Sequence, residues 1–265
     1  MLNLDQTTLI RFGVFAGALV LFSVLEALFP RRERVHNRIR RWFTNLGLVI
    51  SGSLSLMILG PIIAVSVAAW AALSGWGLFN LLNGPIWLEF LIAFILLDLS
   101  IWYQHVLFHK IPILWRLHSV HHADRDLDAS SGIRFHPLEF LVSMLYKCGI
   151  VLLLGPSVVA VIVFEIALNA TAIFSHANMK LPVKLDRVLR KVIVTPDMHR
   201  VHHSIIFSES QKNYGFNFSI WDRLFKTYQA APSKGQTGMT LGLDTAQTDG
   251  PKTFIWNLIF PFKQS

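Results

Sequence analysis

Of the 11 histidines in this 265-residue chain, all but His36 fall between His105 and His203. They occur as His105-x3-His109, His118-x2-His121-His122 and His199-x2-His202-His203, with His136 and His176 standing singly between the clusters. Imidazole is the commonest metal ligand among side chains. Residues three and four apart share a helix face, so each cluster can aim two or three ring nitrogens at one point. One metal does not need so many ligands. The pattern predicts a two-metal centre with an almost wholly imidazole shell, rather than a polar surface that happens to be rich in histidine. Spacing alone leaves open whether His136 and His176 ligate a metal or cap a helix. His36 lies in an arginine-rich linker and reads as solvated.

Ligating imidazoles hand their second N–H to a carboxylate or a carbonyl. Asp98 lies seven residues before His105, two turns away on the same helix face. Asp124, Asp126 and Asp128 follow the first H-x-x-H-H run, and Asp197 precedes the second. These are the candidate acceptors. Asp98 and Asp197 are also candidates for moving protons, because ligand histidines cannot do so. The aspartate triplet lacks the Gly and Glu of a calcium loop. No H-E-x-x-H is present and no G-x-G-x-x-G follows a strand. Glu33-x-x-His36 is the only E-x-x-H, too few for a soluble carboxylate-bridged di-iron bundle.

The elements that must hold these histidines are membrane-like. Hydrophobic residues make up 53% of the chain and charged ones 15%, and no Lys, Arg, Asp or Glu occurs from Phe43 to Leu88. An apolar run of about 20 residues suffices for one spanning helix. Leu9–Phe29 reads as a first span. It has no basic n-region or small-residue cleavage site and is expected to remain as an anchor. Phe43 to about Trp70 reads as a second span kinked at Pro61. Gly75, Gly77 and Asn83-Gly84-Pro85 mark a loop. Ile86–His109 reads as a third helix, and Phe140–Phe174, broken at Gly155-Pro156, as a helical hairpin. On this count every clustered histidine ends on one face. Lys147 and Glu165 fall at nearly the same depth on either side of the hairpin turn, so they are expected to face each other or to share a polar pocket.

Arg31, Arg32, Arg34, Arg38, Arg40 and Arg41 follow the first span. The positive-inside rule puts that linker, and with it the histidines, on the cytoplasmic side, where a basic patch on lipid headgroups is also expected. The net charge of +8 is therefore a topology signal, and no nucleic-acid partner is expected. The one cysteine, Cys148, excludes an intrachain disulfide and a cysteine metal site. Lys252–Lys263 reads either as an interfacial helix or as a packing tail. The fold expected is all-α: a polytopic membrane helical bundle with a cytoplasmic histidine-rich di-metal cap. Residues 1–87 would be anchor helices and linker, 88–230 a catalytic domain, and 231–265 a loop with a C-terminal helix.

The residues around the histidines carry a resemblance. In order they are Asp98, His105-x3-His109, Leu114-Trp115-Arg116-x-His118-x2-His121-His122, Arg134-Phe135-His136-Pro137-Leu138-Glu139, His176-Ala177-Asn178, Thr195-Pro196-Asp197-Met198-His199-Arg200-x-His202-His203, Asn213-Tyr214-Gly215 and Trp221-Asp222-Arg223-Leu224-Phe225. Over Asp98–Tyr228 the chain resembles the fatty acid hydroxylase/sterol desaturase superfamily of membrane di-iron oxygenases, most of all its compact bacterial-type members. The resemblance implies that His136 and His176 join the ligand set, and that Asn213 stands with Asp98 and Asp197 among the catalytic residues. It implies two iron ions, dioxygen as co-substrate and a lipid in the bilayer that is hydroxylated or desaturated at an unactivated C–H bond. With no haem-binding domain in evidence, an external protein must supply electrons. A bacterial inner membrane is the expected location. A metal-dependent lipid hydrolase and a non-catalytic zinc protein are the alternatives; the substrate and oligomeric state stay open. Lys226 departs from the pattern, since many relatives have Gly after Leu-Phe.

Overall fold

The computed structural model describes residues 4–82 and 84–263, so Asn83 of the loop lies outside the described residues. Among these residues the regular elements are all helical. Helix α1 spans Leu4–Leu28, α2 Arg38–Leu56, α3 Ala64–Ser74, α4 Leu78–Leu82 and α5 Ile86–Lys110. Helix α6 spans Pro112–His122, α7 Pro137–Leu154 and α8 Val158–His176. Short helices follow: α9 (Val183–Leu189), α10 (Pro196–His202), α11 (Phe207–Ser210), α12 (Ile220–Leu224) and α13 (Gly235–Gly238), then the longer α14 (Phe254–Lys263).

Five stretches are long and apolar enough to cross a membrane: Gln6–Leu28, Arg38–Leu82, Ile86–Lys110, Pro137–Leu154 and Val158–His176. The chain is thus an all-α membrane bundle, as the apolar runs predict. One expectation needs correcting. The second span is not a single helix kinked at Pro61 but two helices. Gly60 takes a φ of 57° and Pro61 follows it, so α2 stops and α3 starts afresh. Helix α2 crosses the first turns of α7, with Ser55 Oγ donating to Pro137 O at 3.0 Å. Helix α3 packs on α7 and α8, with Ala68, Val151 and Phe164 fully buried.

The hairpin of α7 and α8 forms as the Gly-Pro signal predicts. Gly155 closes α7 with φ 62°, a left-handed position that a side chain would strain. A Cβ on it would also meet Trp76 O at 2.4 Å, so the loop after α3 sits directly on the turn. Glu89, in the first turn of α5, accepts from Ser157 N at 2.7 Å and ties α8 to α5. Lys147 and Glu165 do face each other across the hairpin, with Nζ and Oε1 2.6 Å apart.

The arginine linker is less solvated than its composition predicts. Arg31 pairs with Asp197 at 3.0 Å, Arg38 pairs with Glu26 at 2.8 Å, and Arg32 donates to the carbonyls of Gln236 and Met239. Arg41 is 1% exposed; it chelates both Asp124 oxygens, at 2.9 and 2.6 Å, and reaches Asp128 at 2.6 Å. Glu26, wholly buried in α1, also accepts from the backbone N–H of Ala129 at 2.9 Å and Asn178 at 3.0 Å. These bonds fasten the anchor to the segments on either side of the histidines. His36 is bonded to Asp126, at 3.2 Å, instead of standing in solvent. At the C-terminus, α14 packs on α6 and α2 with Asn257 and Phe260 buried, while Ile255 and Phe262 stay exposed.

Candidate metal centre

Four elements bring the histidines together. The last two turns of α5 present His105 and His109, and α6 presents His118, His121 and His122. The end of α8 delivers His176, and α10 with its C-cap delivers His199, His202 and His203. Each of the nine is between 0 and 8% exposed. They fall into two groups. His105, His109, His118, His122 and His202 form one; His121, His176, His199 and His203 form the other. Within each group one ring nitrogen per residue lies within 4.8 Å of all the others. Both H-x-x-H-H runs contribute to both groups, so each run serves two positions at once.

The hydrogen bonds fix which nitrogen is free. A carbonyl oxygen can only accept, so a ring nitrogen beside one carries the proton. His105 Nδ1 donates to Tyr214 O at 2.7 Å, His202 Nδ1 to Lys212 O at 2.7 Å, His121 Nδ1 to Arg134 O at 3.1 Å and His176 Nδ1 to Ala172 O at 2.6 Å. His118 Nδ1 donates to Glu139 Oε1 at 2.7 Å. A neutral imidazole has only one N–H, so the Nε2 atoms of these five are bare lone pairs. They nevertheless point at one another. His105 Nε2 lies 3.1 Å from that of His118 and 3.0 Å from that of His202, and His176 Nε2 lies 3.0 Å from that of His121 and 3.1 Å from that of His199. Facing lone pairs repel unless a cation lies between them. Nitrogens bound at about 2.1 Å to one ion, at right-angle to tetrahedral geometry, would be about 3.0–3.4 Å apart. The residues present therefore fit a metal in each group. His109 Nε2 and His122 Nε2 are buried without any hydrogen-bond partner, which fits the same conclusion.

The electrostatics agree. Burial, reinforced by the neighbouring imidazoles, pushes His121, His122, His199, His202 and His203 well below the ordinary histidine range, and burial takes His118 down to about 3. Ligating histidines must be neutral, and these are.

Several expectations about individual residues are corrected by this geometry. His136 is outside both groups. It is the N-cap of α7: its Nδ1 accepts from Leu138 N at 3.2 Å and its Nε2 donates to Leu258 O at 3.2 Å, so neither nitrogen is available. The acceptors of the imidazole N–H groups are mostly backbone carbonyls, and Asp98, Asp124, Asp126, Asp128 and Asp197 are not among them. Asp124 and Asp128 are consumed by Arg41, while Asp197 is held between Arg31 and Arg200. Asp98 accepts from Asn217 Nδ2, Phe218 N and Trp221 Nε1, which pins residues 217–221 against α5. Asn213 sits at φ 55° and bonds the backbone of Met198 and Gln229. It shapes the loop that carries Tyr214. Asp98 and Asn213 thus position the loop behind the histidines, while Asp197 ties α10 to the arginine linker.

Two residues were missed. Among the described residues Glu139 is the one carboxylate that bonds a clustered histidine, and its Oε2 has no partner. The His-Pro-Leu-Glu motif pointed to it, with an acid in the first turn of an otherwise apolar helix. Asp222, fully buried, accepts from Trp102 Nε1 and from the backbone N–H of Tyr214 and Gly215. It aims the Tyr214 carbonyl at His105. The Trp-Asp pair 221–222 was its only signal.

A cavity of 630 Å³ ends on His105, His118 and Glu139, between walls that include Phe108, Phe135 and Phe216. An all-helical membrane bundle with two buried polyhistidine groups, one of them meeting an apolar cavity, defines a class: a membrane protein that could hold metal ions beside a hydrophobic ligand. The chain belongs to the fatty acid hydroxylase family, whose profile matches residues 90–227. It is similar to ornithine lipid hydroxylase OlsE of Rhizobium tropici, with 24% identity over 95% of this chain and 75% of that one. It is also similar to alkylglycerol monooxygenase of Danio rerio (28%, covering 93% of this chain and 51% of the relative) and of Homo sapiens (29%, covering 58% and 33%). The chain thus spans only about a third to a half of the length of those two relatives. No solved structure matches it significantly.

Proposed function

We propose that the protein is a membrane lipid oxygenase that hydroxylates, or desaturates, an unactivated C–H bond with two iron ions and dioxygen. The observation that carries this reading is the pair of converging lone-pair groups, the first of which meets an apolar cavity through His105 and His118. The relatives, named as hydroxylases and monooxygenases, support hydroxylation. Iron bound by the nine histidines would supply the dioxygen chemistry. In a hydroxylation, one oxygen atom enters the C–H bond and the other leaves as water, taking two protons and two electrons from an external donor protein.

The chain's own residues do the rest. Carbonyls at Tyr214, Arg134, Ala172 and Lys212 fix the tautomers. The phenylalanine walls hold an alkyl chain and exclude water. Glu139, with one oxygen on His118 and the other unbonded at the cavity end, is placed to hold a proton near the reacting carbon. Neither group contains a carboxylate, which weighs against a hydrolase, and nine ligands beside a cavity exceed what structural zinc requires. We place the histidine cap on the cytoplasmic face of a bacterial inner membrane, supported by the adjoining arginine linker. Residues 1–87 serve as anchor and linker, 88–230 as catalytic domain, and 231–265 as a tail whose exposed Ile255 and Phe262 suit a membrane interface.

The test is metal analysis of anaerobically purified protein, coupled to lipid mass spectrometry with and without the gene. Two irons per chain and a lipid product one oxygen heavier, or two hydrogens lighter, are expected. Zinc alone with no altered lipid would overturn the reading.

A further inference from the structure

The cavity has a second pole. Besides the histidine end, Arg11 of α1, Lys147 of α7 and Glu165 of α8 line it. Glu165 Oε2 accepts from Arg11 Nη2 at 2.5 Å, and Oε1 accepts from Lys147 Nζ at 2.6 Å. Two cations thus share one carboxylate, and the cluster carries one positive charge in excess. Among the described residues the only other acid lining the cavity is Glu139, which is occupied by His118 at the opposite end. Clamping the three helices would need no excess charge, and charge at membrane depth is costly. The ammonium and the guanidinium each keep N–H donors that Glu165 does not use. Their side chains are 12% and 35% exposed, and both line the cavity. Ser143 and Asn169, one turn from Lys147 and Glu165 towards the histidines, add neutral polar groups to the wall.

The pole also has a measurable offset. Lys147 lies eight residues along α7 from Glu139, and Glu165 lies eleven residues along α8 from His176. At the helical rise these separations are about 12 and 16 Å.

We propose that the Arg11–Lys147–Glu165 cluster receives the oxyanion of the substrate, a carboxylate or a phosphate, while the attached alkyl chain runs to His105 and His118. This rests on the oxygenase reading and deepens it: the substrate is an anion-bearing alkyl chain, oxidised at a position set by the distance between the two poles. The excess cation attracts the anion, Glu165 holds both cations in place, and the apolar walls carry the chain between.

The test is equilibrium binding of radiolabelled hexadecanoate, hexadecyl phosphate and hexadecan-1-ol to the full chain in a neutral detergent, without reductant. Both anions, or the one that the site prefers, should bind at least about tenfold tighter than the alcohol, as expected of charge-assisted hydrogen bonds. The tighter of the two anions identifies the source of the oxyanion. Lys147→Met and Arg11→Gln should each remove that preference while leaving alcohol binding unchanged, and Lys147→Arg should keep it. If Lys147→Met does not fold, Arg11→Gln, at the more exposed side chain, decides. Alcohol binding as tight as either anion, or anion preference unmoved by these substitutions, would overturn the proposal. Because binding is read without turnover, an absent oxidation activity would count against the oxygenase reading alone.

Discussion

The imidazole core and the ion-pair shell around it treat polar atoms in opposite ways. In the shell the buried charges are paired with opposite charges or with polar groups. Arg41 spans Asp124 and Asp128, Glu26 collects Arg38 and two backbone N–H groups, and Arg134 donates to the carbonyls of Val120 and Pro251 and the side chains of Asn45 and Asn257. In the core, lone pairs face lone pairs at the spacing that nitrogens sharing one cation would take. A buried group left unanswered costs free energy, so the contrast separates the part of the molecule that holds itself together from the part that fits a cation.

The comparison can be broken by substitution on either side. His202→Ala should have the largest effect on chemistry: oxidation falls below detection and bound metal drops, while the metal-free protein folds as before. His36→Ala, outside both groups, should change neither. Full turnover and undiminished iron in the His202 variant would falsify the metal assignment. Arg41→Met should do the reverse and act on the fold first. Stranding two buried carboxylates costs about 3–5 kcal/mol, read as a lower unfolding midpoint even in metal-free protein. If metal-free Arg41→Met is as stable as wild type, the shell is not what holds the cap.

Glu139→Gln sharpens the boundary, because Glu139 belongs to both sides. Replacing its carboxyl group by an amide should weaken metal binding by roughly 10–100-fold, the usual cost of altering a residue that orients a ligand. Titration with a competing chelator measures it. The metal-free protein should also be acid-sensitive in a defined window. Burial lowers His118 from 6.5 to about 3 in the folded state, so the unfolded chain takes up the proton first. Stability should therefore be intact above pH 6.5 and fall as the pH drops from there towards 3. Bound metal should shift that loss to lower pH. An acid profile identical with and without metal would contradict a core of metal-ligating imidazoles.

The smallest expected effect lies at Lys226, whose φ of 60° is a left-handed position that glycine would hold without strain. Lys226→Gly should raise stability by about 1 kcal/mol and leave activity alone.

Much of this contrast could be read from the residues in order. The i, i+3, i+4 spacing of His118, His121 and His122 maps directly onto one helix stripe, so convergence followed from helical geometry alone. Lys147 and Glu165 were legible because charges in an apolar run have few places to go. The partners of the imidazoles were not legible. Every residue carries a carbonyl, and nothing in the letters of Tyr214, Lys212 or Ala172 marks theirs as the acceptor. Acidic residues near the histidines drew attention instead, and Arg41, more than eighty positions from Asp124, had already claimed them. His136 misled for a related reason: a histidine before Pro-Leu-Glu suits a ligand and an N-cap equally, and only the third dimension shows the Leu258 carbonyl on its far nitrogen. The break at Gly60 was obscured because an apolar run has the same composition whether or not it turns.

Glu26 has a consequence for how the chain is made. Its helix is synthesised before the groups that answer its carboxylate, which lie at Arg38, Ala129 and Asn178. During synthesis α1 must therefore enter the bilayer about 150 residues ahead of its last partner. Until Asn178 arrives, the nascent protein displays an incompletely bonded acid in an apolar helix. Its bonding is completed only by the segments that flank the histidines, so the first helix reaches its finished state only when the cap is assembled.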